Sequence, residues 1–224
     1  MPNDPRPYTN RGEYRTYRCL HKLQAAHPED NIRIYSDLYL DNAPNRPNRQ
    51  VDHLMISHRG IFMLETKYWR GTIYHEVSKR QLQTELGAFW PLIGNSISEK
   101  AKRLADDDVF TLVTTPENPV CVHAEFEDPT YQVRTAGWAL RDLLRPENEV
   151  LPFVRNWVLY NYPHDADNRV IDLNHRLDGR GEELDGFTNL EKFTAFYEQM
   201  RPDLIVDARL EEIDTLVHTE ILLD

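Results

Sequence analysis

The chain has 224 residues, 40% of them hydrophobic and four of them Trp, enough to bury a sizeable core as one domain or as one domain with an elaboration. Its two cysteines, Cys19 and Cys121, stand in no Cys-x-x-Cys pair or His/Cys cluster, which argues against a disulfide framework or structural zinc and for a reducing compartment. The first residues are polar and proline-rich and no apolar run approaches the roughly 20 residues that span a bilayer, so a cytoplasmic protein without a membrane partner is expected.

The net charge of -11 opposes a surface that coats itself in nucleic acid, because phosphate contacts need Lys and Arg. The charge is unevenly placed. Residues 1–80 hold 13 Lys and Arg against 9 Asp and Glu, whereas residues 81–224 hold 13 against 28. A local cationic face built from Arg11, Arg15, Arg18, Lys22, Arg46 and Arg49 is therefore open, and so is a plain solvated surface.

Helical spacing of Tyr17, Leu20 and Leu23 predicts a helix from about Asn10 to Ala26, stopped by Pro28. Ile32–Leu40 alternates as a strand, and Asp41–Asn48, with its prolines and asparagines, reads as a loop. Two apolar runs, Val51–Ile56 and Ile61–Thr66, flank Ser57-His58-Arg59-Gly60 and predict a β-hairpin; a further strand is expected at Thr72–Tyr74 after the turn Trp69-Arg70-Gly71. Helices are expected around Ile97–Leu104 and Arg134–Leu144, the second with Trp138, Leu140 and Leu144 inward. Val120–Phe126 is a weak strand and Phe153–Tyr160 a strong one, apolar enough to be covered on both faces. Thr188 and Glu191 have capping-box spacing ahead of Phe193, Phe196, Tyr197 and Met200, with Pro202 ending that helix. The tail 203–224 is amphipathic. Together these elements predict an α/β fold in one domain over 1–224: a core at 10–105 and 150–200, with elaborations at 111–150 and 161–187.

Side chains alternate along strands, so Glu65 shares a face with Lys67, and Asp52 with Leu54 and Ile56. The hairpin turn decides whether those faces coincide. A four-residue loop sets Asp52 opposite Glu65 and a two-residue loop at Arg59-Gly60 sets it opposite Lys67; a three-residue loop without a bulge sends Asp52 to the far side. In the first two registers, two carboxylates and an ammonium meet. The carboxylates repel unless a cation lies between them, and oxygen ligands favour Mg²⁺ or Mn²⁺, which activates water and polarises a phosphoryl oxygen. The bland alternative is a cross-strand ion pair, disfavoured by the buried character of Ile61, Met63 and Leu64. Glu13 is either a further acid near the metal or, with Asn10, part of a helix cap. His53 points to the opposite face of its strand, and a zinc site from His53, His58 and His75 is a minor alternative. Tyr68, Trp69 and Arg70 either stack on bases and contact phosphate or cover a hydrophobic edge.

Gly12-Glu13 opening a helix, Gln50-Val51-Asp52-His53, the run Gly60-Ile61-Phe62-Met63-Leu64-Glu65-Thr66-Lys67 and then Gly71 resemble the NERD (nuclease-related) domain of the PD-(D/E)XK nuclease superfamily. The resemblance covers roughly residues 10–105, with an echo at Val154–Tyr162. It implies a central mixed β-sheet flanked by helices, a restriction-endonuclease-like core, and Mg²⁺- or Mn²⁺-dependent phosphodiester hydrolysis. It further implies metal ligands at Asp52 and Glu65 with the Thr66 carbonyl nearby, Glu13 as an acidic site residue, and Lys67 orienting the attacking water or stabilising the charge that develops.

The substrate expected is nucleic acid, DNA before RNA, with Arg15, Arg49, Tyr68, Trp69 and Arg70 as contacts. The family pattern of Asn-Pro followed three residues later by Gln is met here by Asn95-Ser96-Ile97-Ser98-Glu99, so Glu99 in the Gln position would add negative charge beside the metal and substrate. That departure and the acidic balance keep a second expectation in play: a binding module that retains the nuclease fold with little or no turnover, working with a protein partner or as a homo-oligomer.

Overall fold

In a computed structural model, the structure describes residues 10–40, 49–87, 105–115, 117, 121–144, 153–162, 168–172, 185–202 and 204–221. The loop expected at Asp41–Asn48, the helix expected at Ile97–Leu104, and Arg46 and Glu99 lie outside these residues, as does Val120 of the weak strand. Helix α1 spans Arg11–Ala26, and a 3₁₀ turn at Pro28–Asp30 leads to β1 (Arg33–Leu40). There follow β2 (Arg49–Ser57), β3 (Gly60–Lys67), β4 (Thr72–Ser78), α2 (Lys79–Leu86), β5 (Val109–Thr114) and β6 (Cys121–His123). Helix α3 (Pro129–Leu143), β7 (Val154–Tyr160), β8 (Arg169–Asp172), β9 (Asp185–Thr188), α4 (Leu190–Gln199) and α5 (Asp207–Glu220) complete the order.

The fold is α/β, as expected. Five strands form a mixed sheet in the order β1-β2-β3-β7-β9, antiparallel across β1-β2-β3 and parallel across β3-β7-β9. β7 lies beside β3 with Glu65 opposite Val158 and Lys67 opposite Tyr160. Its burial on both faces explains the continuous apolar run Trp157-Val158-Leu159. On one face Met55, Phe62, Leu64, Trp157 and Leu159 pack under Leu20 and Leu23 of α1 and Phe193 and Tyr197 of α4. On the other, Leu54, Ile56, Ile61, Met63 and Val158 pack against Val133, Ala136 and Leu140 of α3 and Leu210, Ile213 and Val217 of α5. Each fully buried aliphatic side chain here contributes about 1.5–3 kcal/mol relative to exposure.

Several expectations change. The strand expected at Thr72–Tyr74 runs on to Ser78 and leaves the first sheet, joining a second one in the order β6-β5-β4-β8. A bulge between Tyr74 and Val77 carries Glu76 at φ 47° and leaves both His75 and Glu76 buried, which breaks the alternation that a regular strand shows. Helix α3 begins five residues before Arg134, because Asp128 caps it, accepting from the Thr130 and Tyr131 amides, and Pro129 takes its first position. Leu140 and Leu144 face inward, but Trp138 is 55% exposed, so it does not join the core. For α4 the cap is Asn189, accepting from the Lys192 amide, and not Thr188, which ends β9. The amphipathic tail forms α5.

Helix α3 fits flush against the sheet because Gly137 lacks a side chain: a Cβ there would meet Asn156 Oδ1 at 2.0 Å. Gly137→Ala is expected to destabilise the protein by about 1–3 kcal/mol despite the better helix propensity of alanine, measured by urea unfolding. His75 lies buried between the sheets, its Nδ1 2.8 Å from the Tyr160 hydroxyl, and burial lowers its pKa to about 3. The unfolded chain takes this proton near pH 6.5 and the folded chain does not, so the contribution of a neutral His75 is whole above that pH and is lost as pH falls towards 3. The stability difference between the protein and His75→Asn should shrink by about 1.4 kcal/mol per pH unit across that interval; a difference independent of pH would contradict the assignment.

Candidate active site

The site is built at the C-terminal end of β3. The β2–β3 ladder pairs Ser57 with Gly60 and runs to His53 with Leu64, a two-residue turn whose register sets Asp52 opposite Glu65. This is the first of the registers considered from sequence, reached by a tighter turn at His58-Arg59. Beyond His53 the ladder stops, and the Thr66 amide donates instead to Asp52 Oδ2 at 2.7 Å. Lys67 Nζ donates to Glu65 Oε1 at 2.5 Å and lies 5.8 Å from the centre of the Trp69 ring.

Glu13 enters from α1 on the other layer. Asn10 caps this helix by accepting from the Gly12 amide at 2.9 Å, and its side-chain amide donates to Glu13 Oε1 at 2.8 Å. Glu13 therefore braces the side chain of the cap residue and closes no capping box with that residue's backbone amide, and its carboxyl is at the same time close enough to Asp52 to feel its charge. The buried line of α1 is Gly12, Thr16, Leu20 and Leu23, with Tyr17 turned aside against His21. Gly12 makes the approach to β3 possible: a Cβ there would sit 2.8 Å from Tyr68 Cβ and 3.2 Å from Thr66 Cγ2. Thr16 Oγ1 meets Thr66 Oγ1 at 3.0 Å, and Asn161 donates at 2.8 Å both to Thr16 Oγ1 and to the Gly12 carbonyl.

The electrostatics follow from burial. Asp52 is raised to about 7, first by desolvation and then by Glu65. Glu65, 8% exposed, is raised by its burial against the opposing pull of Lys67. Glu13 is raised by burial and next by Asp52. Asp37, which sequence reasoning did not single out, is a fourth acid: it stands at φ 56° in β1, and its charge raises both Asp52 and Glu13. Lys67 acts on Glu13, Asp52 and Glu65 alike, and their oxygens are of the hard type that a divalent cation takes, although among the described residues no three of these acids bring ligand atoms within 4.8 Å of one another.

The second residue missed from sequence is Gln132. Its Oε1 accepts from Lys67 Nζ at 3.0 Å while its Nε2 donates to the Phe126 carbonyl at 2.9 Å, so it spans from the site to the loop before α3. The signal was present. Asp128-Pro129-Thr130-Tyr131-Gln132 has the Pro-to-Gln spacing sought at 95–99, with Asp in place of Asn, and opens a helix that packs on the site's face of the sheet. The second sheet holds that helix start: Asp128 accepts from Thr111 Oγ1 at 2.8 Å and Arg134 pairs with Glu76 at 2.8 Å.

The other named residues fall as follows. Tyr68 is half-buried with its ring 4.7 Å from that of Tyr162; Trp69 packs on the core edge, stacked on His123 at 4.1 Å; Arg70 is exposed, 4.0 Å from Glu117. Arg11, Arg15, Arg18 and Lys22 are exposed on α1, whereas the side chain of Arg49 lies outside the described residues. The three histidines of the zinc alternative are not brought together: His53 is buried against Ser36, His58 contacts Asp207, and His75 faces Tyr160. Among the described residues, the trio of ligand-type side chains within 4.8 Å of one another is His27, Glu29 and Asp30. There Asp30 is already held by Arg59 Nε at 2.6 Å and the Tyr197 hydroxyl at 3.0 Å, so a guanidinium supplies its counter-charge.

Among the described residues no helix is long and apolar enough to cross a membrane. No curated protein and no solved structure gives a significant match to the chain. The model of the nuclease-related domain, NERD, matches residues 9–160, a span that contains Glu13, Asp52, Glu65, Lys67 and Gln132. With more than half of its length inside that match, the chain belongs to the nuclease-related domain family.

Proposed function

We propose that this protein hydrolyses phosphodiester bonds in nucleic acid, DNA in preference to RNA, with Mg²⁺ or Mn²⁺ held by Asp52 and Glu65. The observation that carries the reading is the meeting of Asp52, Glu65 and Lys67 at one strand end, where Asp52 and Glu65 carry raised pKa values and the ammonium is held by a second partner, Gln132. Such a set is costly to bury as mere structure. Asp52 and Glu65 would hold the ion, with Glu13 and the Thr66 carbonyl beside it. The bound ion would supply Lewis acidity and lower the pKa of a water molecule.

The chain's own groups have separate tasks. Lys67, placed 2.5 Å from Glu65, lies where it can stabilise negative charge gathering on the phosphoryl oxygens or orient the attacking water. Gln132 fixes the direction of that ammonium through its two hydrogen bonds. The exposed arginines of α1, Arg11, Arg15 and Arg18, offer phosphate contacts on a chain whose overall charge is unfavourable for them.

Cleavage of supercoiled plasmid and of labelled single-stranded DNA and RNA, in Mg²⁺, Mn²⁺ or EDTA, tests the reading. Cutting should require the metal, and Lys67→Ala and Asp52→Ala should each lower the rate by about 100-fold or more while the variants remain folded by circular dichroism. Intact substrates at high enzyme concentration, or full activity in Lys67→Ala, would favour the fold-retaining binding module instead. Gln132→Ala should lower kcat on the order of tenfold with KM little changed, because it loosens Lys67 without removing it.

A further inference from the structure

Beside Lys67 the surface carries an aromatic pair that the proposed chemistry leaves unused. Phe126 is 70% exposed and Tyr131 38% exposed, and their rings meet edge to face with centroids 5.5 Å apart. Isolated exposed apolar residues are ordinary, but these two are in contact and are fixed to the site through the backbone. The carbonyl of Phe126 accepts from Gln132, whose other end accepts from Lys67, and Tyr131 immediately precedes Gln132 in α3. The 3₁₀ turn Glu125–Glu127 and the Asp128 cap hold the backbone that carries the pair, so only side-chain freedom remains to be lost on binding.

The charge around the pair selects what it can take. Exposed Glu127 follows Phe126 directly, which disfavours a phosphate backbone running over it. Flat aromatic faces can still stack on bases, since every base offers an uncharged π-face. Phosphates find their counter-charge elsewhere, on the exposed arginines of α1, a helix that starts against Thr66 and Tyr68 at the same strand end. A strand lying between these two features would present its backbone towards α1 and a base towards Phe126 and Tyr131. Bases in an intact duplex are stacked on one another and cannot do this.

We propose that Phe126 and Tyr131 form a stacking platform for an unpaired base beside the bond presented to Lys67, so that the substrate is single-stranded or locally unpaired nucleic acid. This rests on the nuclease reading and narrows its substrate. The test measures affinity apart from cleavage: a short fluorescein-labelled oligothymidylate and a blunt hairpin duplex are titrated in Mn²⁺ on a Lys67→Ala background, so that neither is cut. The expected result is tighter binding of the strand than of the duplex. Phe126→Ala with Tyr131→Ala should weaken strand binding by about 10- to 100-fold, with duplex affinity unchanged and the fold intact by circular dichroism, and Phe126→Trp should retain it.

Equal strand affinity with and without the two rings overturns the platform while plasmid cutting by the unaltered protein still upholds the nuclease. A preference for the duplex also overturns it. Absence of binding to either probe together with absence of cutting would bring down both readings. A shift in self-association on gel filtration in the doubly substituted protein, with strand affinity unchanged, would assign the pair to a protein contact and overturn the proposal.

Discussion

The pairing of Ser57 with Gly60 across the two-residue turn His58-Arg59 sets the register on which everything else rests. A slip of one residue would turn one strand over relative to the other, sending either Leu54 and Ile56 or Ile61 and Met63 to the α1 side and carrying Asp52 away from Glu65 and Lys67. The turn is held from outside. Arg59 donates to buried Asp30 at 2.6 Å and to the Met200 carbonyl at 2.7 Å, Tyr197 donates to the same carboxylate, and the Ile205 amide donates to the His58 carbonyl at 3.0 Å. Residues far apart in sequence thus fix a hairpin whose open end carries the candidate site. The buried ion pair contributes specificity of this register more than net stability, since desolvating both charges offsets much of their attraction.

At the open end the constraint is electrostatic. Acids that share a partly buried space repel one another, and the fold compensates with an ammonium, a backbone amide and an asparagine side chain. Burial first, and the neighbouring acids after it, raise Asp52 and Glu13, and burial raises Glu65 against the pull of Lys67. Glu13 reaches this cluster while accepting from the cap residue Asn10, because Gly12 lets α1 start directly against β3.

Helix α3 links the two sheets. Its cap residue is bonded to β5, its Arg134 to the bulge of β4, and its Gln132 to Lys67 at the end of β3. The bulge at His75-Glu76, a departure from strand alternation, turns a carboxylate inward to meet Arg134. The second sheet therefore bears on the site without supplying a residue to it, through the placement of one helix start.

By itself the sequence determined the elements whose apolar periodicity is strong: α1, the β2–β3 hairpin, β7 and the aromatic face of α4, and with them the α/β class. It also determined that Asp52, Glu65 and Lys67 could share a face, because alternation along a strand is a local property. It did not choose between the registers, because turn length depends on what grips the turn, and Asp30, Tyr197 and Met200 do so from distant segments. Gln132 was legible as a Pro-to-Gln spacing, yet only packing distinguishes the helix that covers β3 from any other helix with a suitable start. Asp37 was not legible at all: its relevance comes from lying in β1 near Asp52, and pairing between strands is a long-range choice that no local pattern encodes.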